Sequence, residues 1–276
     1  STGQLRCGIA QARAADGREA VVAVAVDALA DLEPLPVRAR LGQWWRLQAR
    51  VLAPARSAEI VLLGPRGAPR SVPTELRPGE ARAVFSLDQM GLWRIQLLLD
   101  TDAGPRPALE AWAFVDAEPS WDAAGEAAPG ESLARAVPDA DAGALLDMLN
   151  AARRSEQRPP LRRDARLDEL AQAHAEAMRQ RRRTAHDVGD GSPVQRLEQA
   201  GFDARRVGEN VAHARSLGRA HRALWESPAH RGNLLDAGFA SVGLGVVVVP
   251  ESVAEDDTER GNAEAAGVWV CELFAN

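Results

Sequence analysis

A carboxylate and two imidazoles stand at intervals that suit acid–base or metal chemistry: His186, Glu209 and His230. Glu209 sits in Gly208-Glu209-Asn210, which reads as a glycine-led turn. His230 falls in the first turn of a helix, with Ser227 at the cap and Pro228 at the first helical position. His186, in Ala185-His186-Asp187, follows a long helical stretch. A carboxylate and imidazoles carried on separate rigid elements are raw material for a metal site or a general base. The plain alternative for the same residues is a hydrogen-bonded polar cleft.

The elements that must hold these groups begin at residue 141. Asp141 can cap a helix with Leu145, Leu146 and Leu149 on one face. Asp164 can cap the next, where Leu167, Leu170, Ala171, His174 and Met178 follow a helical stripe. His174 on that stripe reads as a hydrogen-bonded core histidine. Ser192-Pro193 opens a short helix that stops at Gly201, Ser216 caps another, and Ser227-Pro228 opens the last. His221 and Trp225, four residues apart, read as a packing pair. Residues 242–249 and 268–274 read as strands, joined by an acidic segment over 250–267.

The first part of the chain has another period. Residues 5–118 contain no histidine and read as about seven short strands with turn signals at Asp16-Gly17, Gly64-Pro65, Pro78-Gly79 and Gly104-Pro105. That pattern predicts an all-β, immunoglobulin-like sandwich over 1–118, with Val21–Asp27 as one of its strands. Trp44, Trp45, Trp93 and Trp112 read mostly as core anchors, with an exposed aromatic binding strip as the alternative. Residues 119–140, rich in Ala, Pro, Gly and acids, read as a linker pinned by Trp121.

Bulk properties narrow the classes. The chain has 276 residues, 46% hydrophobic and 26% charged, which suits two ordinary soluble domains. A net charge of −6 leaves no nucleic-acid footprint. No apolar run approaches the roughly 18 residues of a membrane span. Every basic residue is arginine; those between 153 and 183 read as a solvated helical face, with adhesion to anionic envelope polymers or lipid headgroups as the alternative. No H-E-x-x-H, G-x-S-x-G or nucleophilic cysteine motif is present.

Residues 141–276 resemble the CAP superfamily, the domain shared by cysteine-rich secretory proteins, antigen 5 and plant pathogenesis-related class 1 proteins, and look closest to its bacterial branch. The resemblance rests on an ordered series: Leu149-Asn150, Pro160-Leu161, His174-Ala175, His186, Arg196-Leu197, Gly208-Glu209-Asn210, Ser227-Pro228, His230-Arg231, Asn233-Leu234-Leu235, Gly243-Leu244-Gly245 and a last strand to Phe274. It implies a three-layer α-β-α sandwich with a central cleft lined by two His and two Glu, able to hold a divalent cation, zinc above all. His186, Glu209 and His230 fill three of those places. The fourth falls at Ser227, with Glu226 adjacent. Two imidazoles and one carboxylate still suffice for zinc with an open position for water. Asn210 is expected to stabilise the turn. His213 is a lesser cleft candidate: an extended segment is expected to set it opposite Glu209, a helical one on the same face.

The resemblance also implies a secreted or envelope-associated protein; Ser1-Thr2 open the sequence with no targeting segment. Cys271 lies near the usual place of a disulfide cysteine of the family. Cys7 is its one intrachain partner, so a Cys7–Cys271 bridge and two inert thiols both stay open. The implied function is binding of a lipid, a glycan, an envelope component or another protein, rather than turnover. The rivals are a metal-assisted, peptidase-like hydrolase using the same cleft and a structural module of an extracellular assembly.

Overall fold

The structure is a computed structural model and describes residues 3–13, 17–102, 104–120, 126–135, 141–249 and 266–276. Trp121 and nearly all of the acidic 250–267 segment lie outside the described residues. The chain divides into two compact units, residues 1–65 with 69–120, and 66–68 with 121–276.

The first unit is entirely β: β1 (Gln4–Arg13), β2 (Glu19–Ala28), β3 (Ala30–Leu32), β4 (Arg38–Ala39), β5 (Trp44–Val51), β6 (Ser57–Leu63), β7 (Arg70–Val72), β8 (Thr74–Arg77), β9 (Glu80–Ser86), β10 (Gly91–Thr101) and β11 (Gly104–Val115). One sheet runs β3-β5-β9-β8 and the other β4-β11-β10-β6-β7, with β4 parallel to β11. This is an immunoglobulin-like sandwich. Alternation along β5 buries Trp45, Leu47 and Ala49, and along β10 Trp93, Ile95, Leu97 and Leu99, so the inward residues of both sheets share one core. Trp45 and Trp93 are core anchors as expected, whereas Trp44 is exposed and Trp112 half-buried. The expected strand Val21–Asp27 exists but lies outside the sandwich. Among the described residues it pairs only with β1, in a separate antiparallel hairpin whose apolar side chains are exposed on both faces.

The second unit begins with a 3₁₀ turn (Glu131–Arg135), then α1 (Ala142–Ser155), β12 (Arg162–Arg163), α2 (Ala165–Arg181), α3 (Pro193–Gln199), β13 (Val207–Ala214), α4 (Leu217–Glu226), α5 (Pro228–Leu235), β14 (Ser241–Val249) and β15 (Gly267–Ala275). Its sheet runs β12-β14-β15-β13, so β15 is central and β13 is an edge. The expected caps form: Asp141 accepts from Ala144 N–H at 2.7 Å, and Asp164 from Arg166 and Leu167 N–H at 2.9 and 3.2 Å. Ser192 completes a capping box with Gln195. Ser227 sits at the cap position of α5, but its side chain makes no cap hydrogen bond.

Two cores cover the two faces of this sheet, the α-β-α order. On one side Leu145, Met148, Leu149 and Ala152 of α1 pack with α4, α5, Val270 and Phe274. On the other Leu167, Ala171, Ala175 and Met178 of α2 pack with Cys271 and Leu273. Helix α2 lies directly on β14, because a Cβ at Gly243 would fall 2.1 Å from the Leu167 carbonyl carbon and one at Gly245 2.2 Å from the Ala171 oxygen. Arg153 departs from the expected solvated arginine face. It is fully buried and donates to Pro159 O at 2.6 Å, Leu234 O at 2.7 Å and Asp236 O at 3.1 Å, tying α1 to the end of α5.

Candidate functional site

Glu209 is in a strand, not a turn: Val207–Ala214 pair residue by residue with β15, Glu209 opposite Leu273 and Asn210 opposite Glu272. Gly208 serves close approach instead of turning the chain, since a Cβ there would meet Phe239 at 2.9 Å and the Asn233 side chain at 3.0 Å. Strand alternation turns Glu209 to the α2 side of the sheet and Asn210 to the other. Because β13 is an edge, groups from both faces can meet around it.

The Glu209 carboxylate is almost wholly enclosed, its side chain 1% exposed. Oε1 lies 2.8 Å from His186 Nδ1 and 3.9 Å from His174 Nε2. Oε2 takes the Arg196 guanidinium through Nη2, with Cys271 Sγ at 3.5 Å. Burial, and next the Glu209 charge, pushes the Cys271 thiol well above its ordinary range, so it stays protonated and donates. Arg196 is itself fixed by Gly191 O at 2.6 Å and His186 O at 3.0 Å, and its head stands 3.7 Å from Asp190. His174, fully buried, faces Asp190 Oδ2 with Nδ1 at 2.7 Å and Ala185 O with Nε2 at 3.0 Å. His174 and Arg196 thus face Asp190 and Glu209 in one cluster of four ionisable side chains.

The segment between α2 and α3 supplies this cluster through local chemistry. Asp187 accepts from the N–H of Gly189 at 2.7 Å and of Gly191 at 3.2 Å, an Asx-type turn with both glycines at positive φ. That turn brings His186 and Asp190 back over α2. The Nδ1 of His186 faces a carboxylate and so holds the proton; its other nitrogen, Nε2, is left on a side chain 42% exposed.

On the opposite face Asn210 Nδ2 donates to Glu272 Oε2 at 2.9 Å and to His230 O at 3.2 Å, and Asn233 Nδ2 bridges Asn210 Oδ1 at 3.0 Å and Glu209 O at 3.1 Å. Asn210 thus fastens β13 to α5 and β15 rather than shaping a turn. Burial first, then the nearby His186, pushes the His230 imidazole down to about 4, which keeps it neutral at pH 7. Burial pushes the Glu272 carboxyl up to about 7, and its Oε1 has no hydrogen-bond partner.

His186 and Glu209 are thus in contact, and His230 lies within the field of His186. Glu226 and Ser227 are not among the hydrogen-bond partners of Glu209. Ser227 links α4 to α5, and Glu226 bears on Arg222 one turn earlier. His213 is corrected: the segment is extended, yet a spacing of four in a strand keeps one face. It shares the face of Glu209 but stacks on Trp269 with ring centroids 4.0 Å apart. Cys7 and Cys271 are both free thiols, Cys7 exposed and Cys271 buried beside Glu209. His221 is corrected as well: it is buried and bonds Pro129 O at 3.0 Å. Sequence reasoning did not place Arg196, Asp190, Asn233 or Glu272 in the site, although Arg196-Leu197 and Asn233 stood in the series that carries the resemblance.

Both oxygens of Glu209, one of the three expected ligands, already have protein partners, His186 on one and a guanidinium on the other. Among the described residues no three His, Cys, Asp or Glu side chains converge as metal ligands.

Residues 146–273 match the family model described as "CAP: Cysteine-rich secretory protein family". The second unit carries a CAP domain. "Uncharacterized protein YkwD" of Bacillus subtilis (strain 168) is 28% identical over 105 residues, 37% of this chain and 41% of that protein, so the chain spans about two fifths of the curated relative it matches. An outer surface protein from Borrelia burgdorferi is 20% identical, covering 48% of this chain and 89% of its own, with a TM-score of 0.40. An extracellular protein containing a SCP domain from Bacillus anthracis str. Ames is 16% identical, covering 89% of this chain and 88% of its own, with a TM-score of 0.38. No helix among the described residues of this CAP-domain chain is long and apolar enough to cross a membrane.

Proposed function

We propose that this is an extracellular or envelope-associated binding protein whose CAP domain takes its ligand at the His186 side of β13. One observation carries the reading: buried Glu209, held by Arg196 and beside His174, fixes the orientation of a single imidazole, His186, and leaves it part-exposed. Burying charges costs about several kcal/mol per ion, so this arrangement is weak evidence for stability alone and is read as positioning His186. A lipid or glycan hydroxyl, or a lipid headgroup, is a ligand that His186 Nε2 can engage by a hydrogen bond. The test is co-sedimentation of the full chain with purified peptidoglycan and with phosphatidylglycerol–phosphatidylethanolamine vesicles. The expected outcome is retention by one of them, weakened roughly tenfold by His186→Ala, since loss of one good hydrogen bond costs about 1.4 kcal/mol. Binding undiminished in His186→Ala removes the cleft from the proposal.

The same His186–Glu209 contact favours a second reading, in which Nε2 acts as a general base oriented by the carboxylate. It requires turnover of an ester or peptide substrate that His186→Ala abolishes. No turnover across a broad panel of both would dispose of it.

A further inference from the structure

We propose that Arg196 is the resident cation of the CAP cleft, standing on Glu209 where a divalent metal would stand and making the cleft complete without one. The inference does not depend on what the cleft binds. Three observations support it. First, the guanidinium is 7% exposed and reaches the Glu209 carboxylate from the interior, on the oxygen that His186 leaves open. Second, its place is over-determined: one nitrogen spans Gly191 O and His186 O while the other holds Glu209. A side chain fixed by two backbone carbonyls and a carboxylate does not swing aside for an incoming ion without leaving those acceptors bare. Third, the guanidinium serves both carboxylates of the cluster: it bonds Glu209 and stands 3.7 Å from Asp190. A dication added beside Glu209 meets this buried guanidinium at close range, which works against binding. The ordering that a metal supplies to a two-His, carboxylate cleft, namely a fixed ring orientation for His186, is here supplied by the chain: the guanidinium aligns Glu209, and Glu209 aligns the imidazole.

The experiment is zinc titration by calorimetry on the metal-stripped full chain, run with Arg196→Ala, Arg196→Gln and Arg196→Ala/His186→Ala. The wild-type chain is expected to give no heat of binding at micromolar zinc and the same melting temperature with and without EDTA. Arg196→Ala is expected to melt roughly 10 °C lower, because buried Glu209 loses its guanidinium partner. It is also expected to gain one zinc site at about 10 µM or tighter, and the His186 double variant to lose that site again. Arg196→Gln keeps side-chain volume without charge, and answers the question if the alanine variant does not fold. A one-to-one wild-type isotherm that His186→Ala removes overturns the proposal. So does a folded Arg196 variant that gains no zinc site.

Discussion

At the scale of single residues, charge placement was the least legible property. His186, Glu209 and His230 stood out by type, and the fold does bring His186 onto Glu209. Arg196 stood beside Leu197 in the series that carries the resemblance, but nothing in the sequence marked it as a partner of Glu209. A chain position records charge but not burial. Only the Asx turn at Asp187 and the capped α3 put this guanidinium behind the carboxylate. Glu272 was equally silent: an acid in an apolar strand reads as a polar edge residue, yet it is fully enclosed. Its folded-state pKa of about 7 against an ordinary 4.5 has a signed consequence. The folded chain holds this proton longer than the unfolded one. The contribution is therefore complete below about pH 4.5 and lost as pH rises through 7. Glu272→Gln keeps the acceptor for Asn210 and removes the titration. Denaturant unfolding is expected to show the variant gaining on wild type by roughly 3 kcal/mol between pH 5 and pH 8. A difference independent of pH would mean that Glu272 titrates normally. His230 acts in the opposite direction: with its pKa lowered to about 4, stability falls as pH drops from about 6.5 to 4.

At the scale of elements, period and capping gave most of the CAP domain. Asp141, Asp164, Ser192 and Ser216 each cap the helix assigned to them, because a short oxygen-bearing side chain before an apolar stripe has few other uses. What period could not supply was the intimacy of α2 with the sheet. Gly243 and Gly245 read as ordinary strand glycines, but each leaves room for helix backbone. Gly243→Ala forces its Cβ against the Leu167 carbonyl, and backbone cannot yield as a side-chain tip can. The expected loss is about 3 kcal/mol or more by denaturant titration. A loss under about 1 kcal/mol would show that α2 does not seat on β14 this closely. The strand assignment at Gly208-Glu209-Asn210 went the other way. Glycine beside acid and amide has turn composition, and pairing with β15 overrides it.

At the scale of the whole molecule, the change from period two to helical period separated a β unit from an α-β unit. The sandwich was legible from its turns, and the CAP domain from an ordered set of small motifs. The hairpin β1–β2 was not, because alternating valines read alike in a sandwich strand and in a free ribbon. The β unit holds no histidine, and the charged cluster lies wholly in the CAP domain. The central claim is that Glu209, held by Arg196, sets the tautomer and orientation of His186 without a metal. The measurement that reaches it most directly is the long-range nitrogen–proton NMR spectrum of the full chain with ¹⁵N-labelled histidine rings at pH 7, before and after EDTA. The expected spectrum has His186 protonated on Nδ1 and His230 neutral, both unchanged by chelation. A His186 ring with a bare Nδ1, or one whose signals move when EDTA is added, would contradict the account.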